Sequence, residues 1–270
     1  MKEELISSSA TAWASETLDL NVPVVDGNTN AATLLLRPQH SQQPRHHLYF
    51  AYGSNLSYSQ MRQRCIHDPD ISSKPVALAR LDGWKWLICE RGYANVDNNN
   101  NDNRTITAQV DGVREEESKE DVVVYGVLYN MTEADESELD GYEGIDRAAP
   151  RAPENGPVDR KTRPREQGSG EYNKWYIHVT VTKWLDEEQK GKWGAVATAV
   201  GDDGSNGDDD IQRVLVYVDE MHVQDGPPKK EYIGRMNRGI REAVGLGLPS
   251  DWVEKVMRKY IPEGPDAGFV

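Results

Sequence analysis

Tyr49-Phe50-Ala51-Tyr52-Gly53-Ser54-Asn55-Leu56 decides how the rest of this chain is read. With Leu48 in front, its first half is apolar and aromatic without a breaker, the pattern of a buried strand. Its second half reads as a tight turn. Glycine reaches backbone angles closed to other residues, and Ser and Asn side chains bond nearby amides. Ser57 followed by Gln60 fits a capping box, so a helix is expected to begin there. Strand, glycine turn and helix N-terminus together can point several backbone N–H groups one way, a cradle for an anion such as a carboxylate. An ordinary strand–turn–helix without a ligand fits the same residues, and at this point both readings stand.

Outward from that stretch, the patterns alternate between order and low complexity. Residues 1–47 are polar apart from Ala31 to Leu36 and read as a flexible arm. Beyond the first helix, Val76 to Glu90 holds one or two strands broken at Asp82-Gly83, with Trp84, Trp86 and Ile88 alternating. Arg91 to Val96 reads as a loop of small residues suited to close approach to a ligand. Val122 to Tyr129 is a continuous β-branched strand. Thr132 is placed to cap a helix from about Glu133 to Tyr142, and Gly144 to end it. Trp175, Ile177, Val179 and Val181 alternate, and Val214 to Val218 is again a strand.

After Pro227-Pro228, Tyr232, Ile233, Met236, Ile240 and Val244 recur at helical spacing, with Arg235, Arg238 and Arg241 opposite. Ser250 or Asp251 is expected to cap a last helix. The organisation is thus a single domain over 48–262, with loop insertions near 97–121, 148–170 and 186–210 and a tail at 263–270. Strands outnumber helices and do not alternate regularly with them. That argues for an α+β fold with a mixed, barrel-like sheet and against a doubly wound one.

Bulk composition bounds the function. Only 37% of the 270 residues are hydrophobic, so a core of roughly 170–190 residues with polar extras is expected. The net charge of −14 argues against nucleic acid and anionic membranes as partners. An anionic ligand has to be drawn by local donors against the overall field. Cys65 and Cys89 have no metal-type spacing and make no disulfide framework, which fits a reducing, cytoplasmic setting. No run approaches membrane-spanning length, and Met1 to Leu20 carries no secretory signal.

The side chains that could do chemistry are few. No histidine stands at metal-ligand spacing, and no phosphate-loop or dinucleotide fingerprint is present, so neither metal nor cofactor is expected. Gly53-Ser54 lacks the second glycine of a hydrolase elbow, and Ser54 has no evident histidine partner. Glu143 differs from the acidic residues along its helix. It lies at the helix C-terminus in Gly141-Tyr142-Glu143-Gly144, where the dipole and an aromatic wall disfavour its charged form. Both effects raise its pKa and suit it to proton transfer near neutral pH. A plain surface glutamate at a helix end is the competing reading.

Taken together, these residues resemble the γ-glutamylcyclotransferases. Leu48 to Leu56 resembles the family signature. Ala79-Arg80-Leu81, Val124 to Tyr129, Leu139-Asp140-Gly141-Tyr142-Glu143-Gly144, Tyr172 and Pro227-Pro228 with Tyr232 follow in the family's order. The resemblance covers the ordered segments and skips the insertions. It implies a small mixed β-barrel flanked by helices, and an intramolecular aminolysis of γ-glutamyl amino acids to 5-oxoproline and a free amino acid. Glu143 matches the catalytic glutamate. Tyr49, Phe50, Ala51, Tyr52, Gly53, Ser54 and Asn55 match the substrate-binding signature, and Tyr172 a pocket tyrosine able to donate its hydroxyl. The turn amides are expected to hold either the substrate carboxylate or the developing oxyanion. The expected partner is a small γ-glutamyl substrate, with a homodimer as the candidate assembly. The same chemistry on another γ-glutamyl amide, and a non-catalytic carboxylate-binding module, are the alternatives.

Overall fold

The structure, a computed structural model, describes residues 47–98, 122–145, 172–197 and 210–265. Among the described residues seven strands run in chain order as β1 (His47–Ala51), β2 (Pro75–Asp82), β3 (Lys85–Ile88), β4 (Ala94–Asp97), β5 (Val123–Met131), β6 (Asn173–Trp184) and β7 (Ile211–Val218). The helices are α1 (Tyr58–Arg64), α2 (Pro69–Ser72), α3 (Glu133–Tyr142), α4 (Glu187–Ala197), α5 (Lys230–Leu246) and α6 (Ser250–Lys255).

Five strands close a barrel in the order β1-β5-β2-β6-β7. Four of its contacts are antiparallel, and the parallel pairing of Tyr49 with Leu215 closes the ring between β1 and β7. The sheet is therefore mixed and barrel-like, as its strand-rich order suggests. β5 pairs with β1 and β2 and every residue from Gly126 to Met131 is buried, so both of its faces are covered, which explains its continuous apolar run. Gly126 at its centre leaves no room for a side chain: a Cβ there would lie 2.4 Å from the Ala51 carbonyl oxygen and 2.6 Å from the Phe50 ring. β3 and β4 form a separate hairpin beside the barrel.

The first turn after β1 is a 3-10 turn, Ser54–Leu56. α5 lies against it, because Gly239 lets the helix backbone come close: a Cβ on that glycine would meet Leu56 at 3.1 Å and the Ser54 carbonyl at 3.3 Å. Tyr232, Met236, Ile240 and Ala243 bury the apolar stripe of α5, as its helical spacing predicts.

Several expected boundaries move. His47 belongs to β1 and not to the arm. Ala94 to Asp97 is not loop but strand β4, stitched to β3 by four residue pairs. The Gly- and Asp-rich stretch expected as an insertion over 186–210 contains α4. That helix is started by Asp186, whose carboxylate accepts from the Glu188 and Gln189 amides at 2.9 and 3.1 Å. The cap of α6 is Pro249 and not Ser250 or Asp251. The rest of the arm, the insertions over 99–121 and 148–170 and the last residues of the tail lie outside the described residues.

Candidate active site

At the end of β1 the chain is pinned from two sides. The Trp86 indole on β3 donates to the Tyr52 carbonyl at 3.0 Å, and the Tyr52 hydroxyl donates to the Tyr217 carbonyl on β7 at 2.5 Å. The next residue must be glycine for a steric reason. Gly53 has φ −108°, open to any residue, but a Cβ on it would sit 2.9 Å from the Tyr232 hydroxyl. That hydroxyl reaches over from α5 and accepts from the backbone amides of Ser54 (3.2 Å) and Ala94 (3.3 Å). The amide cradle expected at this turn is thus partly occupied by a side chain of the protein itself. With two N–H groups on its oxygen, the phenol keeps its own proton for an acceptor in the cavity.

Beyond the turn, Ser57 caps α1 by accepting from the Gln60 amide at 3.1 Å. The Gln60 side chain does not return to the cap. It donates to Ser54 Oγ (3.0 Å) and Asn55 Oδ1 (2.9 Å). Arg64 Nη1 also donates to Asn55 Oδ1, at 3.0 Å. Two donors on one oxygen settle the orientation of the Asn55 amide. Its Nδ2 therefore faces Tyr49 Oη (3.0 Å) and Glu143 Oε1 (3.3 Å).

Glu143 is delivered by α3. Thr132 caps that helix by accepting from the Asp135 amide. Glu136 and Asp140, one turn apart, clasp the Lys174 ammonium of β6 at 2.6 and 2.8 Å. Asp140 also accepts from the Tyr217 hydroxyl at 2.7 Å. These contacts bolt the last turn of α3 to the barrel wall. Glu143 closes the helix with its amide on the Leu139 carbonyl (3.0 Å), and Gly144 turns the chain away at φ +69°.

The Glu143 side chain is only 16% exposed and stands 3.6 Å from the Arg64 guanidinium. Burial pushes its carboxyl above the ordinary 4.5. Arg64, the Asn55 amide and Arg235 pull it down, Asp140 pushes it up, and burial wins. Tyr172 also reaches the site, but its hydroxyl donates to the Ala94 carbonyl at 2.8 Å and serves β4. Its ring carries the Arg91 guanidinium at 5.4 Å.

These groups line one cavity of about 540 Å³ between the turn, the end of α3, the β3–β4 hairpin and the start of α5. Of the residues expected at the site, Tyr49, Tyr52, Gly53, Ser54, Asn55, Glu143 and Tyr172 line it. Phe50 and Ala51 do not; both are fully buried in the core, where Phe50 packs on Gly126. Sequence reading missed Arg64, and it placed Tyr232 on the apolar stripe of a helix. It also missed Lys229 and Arg235, whereas Arg91 and Tyr93 belong to the segment expected to approach a ligand and do line the cavity. One signal for Arg64 is its place one turn after Gln60 on a helix that starts at the signature. Among the described residues no group of three His, Cys, Asp or Glu side chains is arranged to hold a metal ion, and no helix is long and apolar enough to cross a membrane.

No family model and no curated protein matches the chain. Among solved structures it is similar to YkqA from Bacillus subtilis, at 17% identity and a TM-score of 0.45, over 83% of this chain and 56% of that one. The chain therefore spans little more than half the length of that protein.

Proposed function

We propose that this chain is a cyclotransferase that converts γ-glutamyl amino acids to 5-oxoproline and a free amino acid. The observation that carries the reading is Glu143: a carboxylate poised at a cavity wall, its pKa raised by burial, held in place by Asn55 and Arg64. The nucleophile belongs to the substrate. Its α-amine attacks its own γ-carbonyl carbon, forming the ring C–N bond while Glu143 takes the amine proton. The tetrahedral intermediate then collapses. The bond to the leaving nitrogen breaks, and Glu143 returns the proton to that nitrogen. Atoms and charge balance with one carboxylate serving both transfers.

With the Ser54 amide held by Tyr232, the amides of Gly53 and Asn55 serve the α-carboxylate, and the spare Tyr232 proton serves the oxyanion. Holding amine and carbonyl in near-attack geometry supplies the remainder of the rate. Ser54 Oγ is occupied by Gln60, and the Ser54 amide acts by holding the Tyr232 hydroxyl.

The test is release of 5-oxoproline from γ-glutamyl-alanine. Glu143→Gln should lower kcat by roughly 10²–10⁴. Tyr232→Phe should lower it by roughly 10²–10³ with a smaller effect on KM. Turnover that survives in Glu143→Gln would remove Glu143 from the mechanism. Absence of turnover by the wild type on any γ-glutamyl compound would favour a carboxylate-binding module.

A further inference from the structure

The cavity is strongly cationic in a chain that carries −14 overall. Among the described residues four cations line it, Arg64, Arg91, Lys229 and Arg235, against the single carboxylate of Glu143. Two of them are already matched: Arg64 faces Glu143, and Arg91 is paired with the buried Asp219 just behind the wall. Lys229 and Arg235 have no carboxylate at ion-pair distance among the described residues.

Both are nonetheless held in place. The Lys229 amide donates to the Gly92 carbonyl at 3.1 Å, and its stem runs over Gly92, where a Cβ would meet its Cγ at 2.8 Å. Its ammonium lies 4.3 Å from the centre of the Tyr93 ring and donates to the Tyr93 hydroxyl at 3.0 Å; that hydroxyl in turn donates to the exposed Glu231 at 3.3 Å. The Arg235 guanidinium lies 5.0 Å from the Tyr232 ring and 6.0 Å from the same Tyr93 ring. Two oriented cations thus share one aromatic platform beside the base. Lys229 is also the cap residue of the 17-residue helix α5, whose positive end adds potential of the same sign.

We infer that Lys229 and Arg235 form the subsite for the leaving half of the substrate, and that this half is an amino acid carrying a second carboxylate. The inference rests on the cyclotransferase reading of the same cavity. There the turn amides take the glutamyl α-carboxylate, so two matched anions remain to be supplied from the leaving side. A leaving aspartate or glutamate supplies them; a neutral amino acid supplies one, and a simple amine none.

Isosteric substrates test this. γ-Glutamyl-glutamate and γ-glutamyl-glutamine differ by one charge at equal size. Wild type should prefer the former by at least about tenfold in kcat/KM. Its tightness of binding to Glu143→Gln, measured by calorimetry, should show a similar ratio. The double variant Lys229→Gln/Arg235→Gln should bring both ratios to about one, while Lys229→Arg/Arg235→Lys keeps the preference. Equal binding of the two compounds to Glu143→Gln overturns the subsite even if turnover is robust. No turnover of either compound, with the binding preference intact and lost in the double variant, supports the subsite and sinks the reaction reading instead.

Discussion

Glu143 is placed where its charge is disfavoured. Its pKa in the folded chain is raised above the ordinary value by burial, so the native state holds this proton more tightly than the unfolded chain does. Stability from this group is complete below 4.5 and is lost as pH rises through the raised value. Ionised Glu143 at neutral pH is therefore a stability cost retained at the site. Glu143→Gln should leave the melting temperature at pH 7 equal or higher while it lowers kcat, and calorimetric melting checks the sign. The same residue sets the acidic limb of the rate profile, because only the ionised form accepts the amine proton. Arg64→Met removes the nearest cation, raises the Glu143 pKa further and should move that limb to higher pH. A pH series of kcat/KM reads the shift; a limb that stays in place would detach Arg64 from the base. The glutamate itself is legible in sequence, since a helix cap, an aromatic and a glycine are local signals. Arg64 is not. One turn of helix carries Arg62 and Arg64 alike, and which of them meets Glu143 depends on a chain segment some eighty residues away.

α3 earns its precision through the clasp on Lys174. Glu136, Asp140 and Lys174 keep between 10% and 13% of their side chains exposed, so the triad is largely desolvated. Lys174→Met leaves two carboxylates one turn apart without their cation and should destabilise the fold by about 3 kcal/mol, read as a lowered urea midpoint. An unchanged midpoint would show that α3 is held by apolar packing alone. The caps of α1 and α3 are both visible in the sequence, at Ser57 and Thr132, because capping is decided within four residues. α4 and β4 were hidden for the opposite reason. The low-propensity Gly and Asp around α4 say little without the Asp186 cap that Lys74, just ahead of β2 and far away in sequence, holds. The four residues of β4 form a strand only because β3 lies beside them.

For the whole molecule, charge acts on two length scales. The net −14 repels an anionic substrate from afar, while the cations of the cavity attract it at contact. Salt shortens the screening length from about 30 Å at 0.01 M to about 8 Å at 0.15 M, which removes the long-range repulsion before the short-range attraction. The kcat/KM for a γ-glutamyl dicarboxylate should therefore rise between those ionic strengths, as initial rates will show; a steady fall would mean that the local cations dominate approach as well as contact. Sequence by itself determined what short-range physics decides: the strand and turn at Tyr49–Leu56, the capped helix that ends on Glu143, and the strand-rich order that argues for a mixed, barrel-like sheet. Only the tertiary structure decided how the Tyr49 signature is used. Gly53 is needed for the Tyr232 hydroxyl and not for a special backbone angle, and Phe50 and Ala51 build the core behind the cavity. Asn55 reaches Glu143 across 88 positions of sequence. Those outcomes follow from barrel closure between β1 and β7 and from α5 packing on the turn, contacts whose partners no local pattern names.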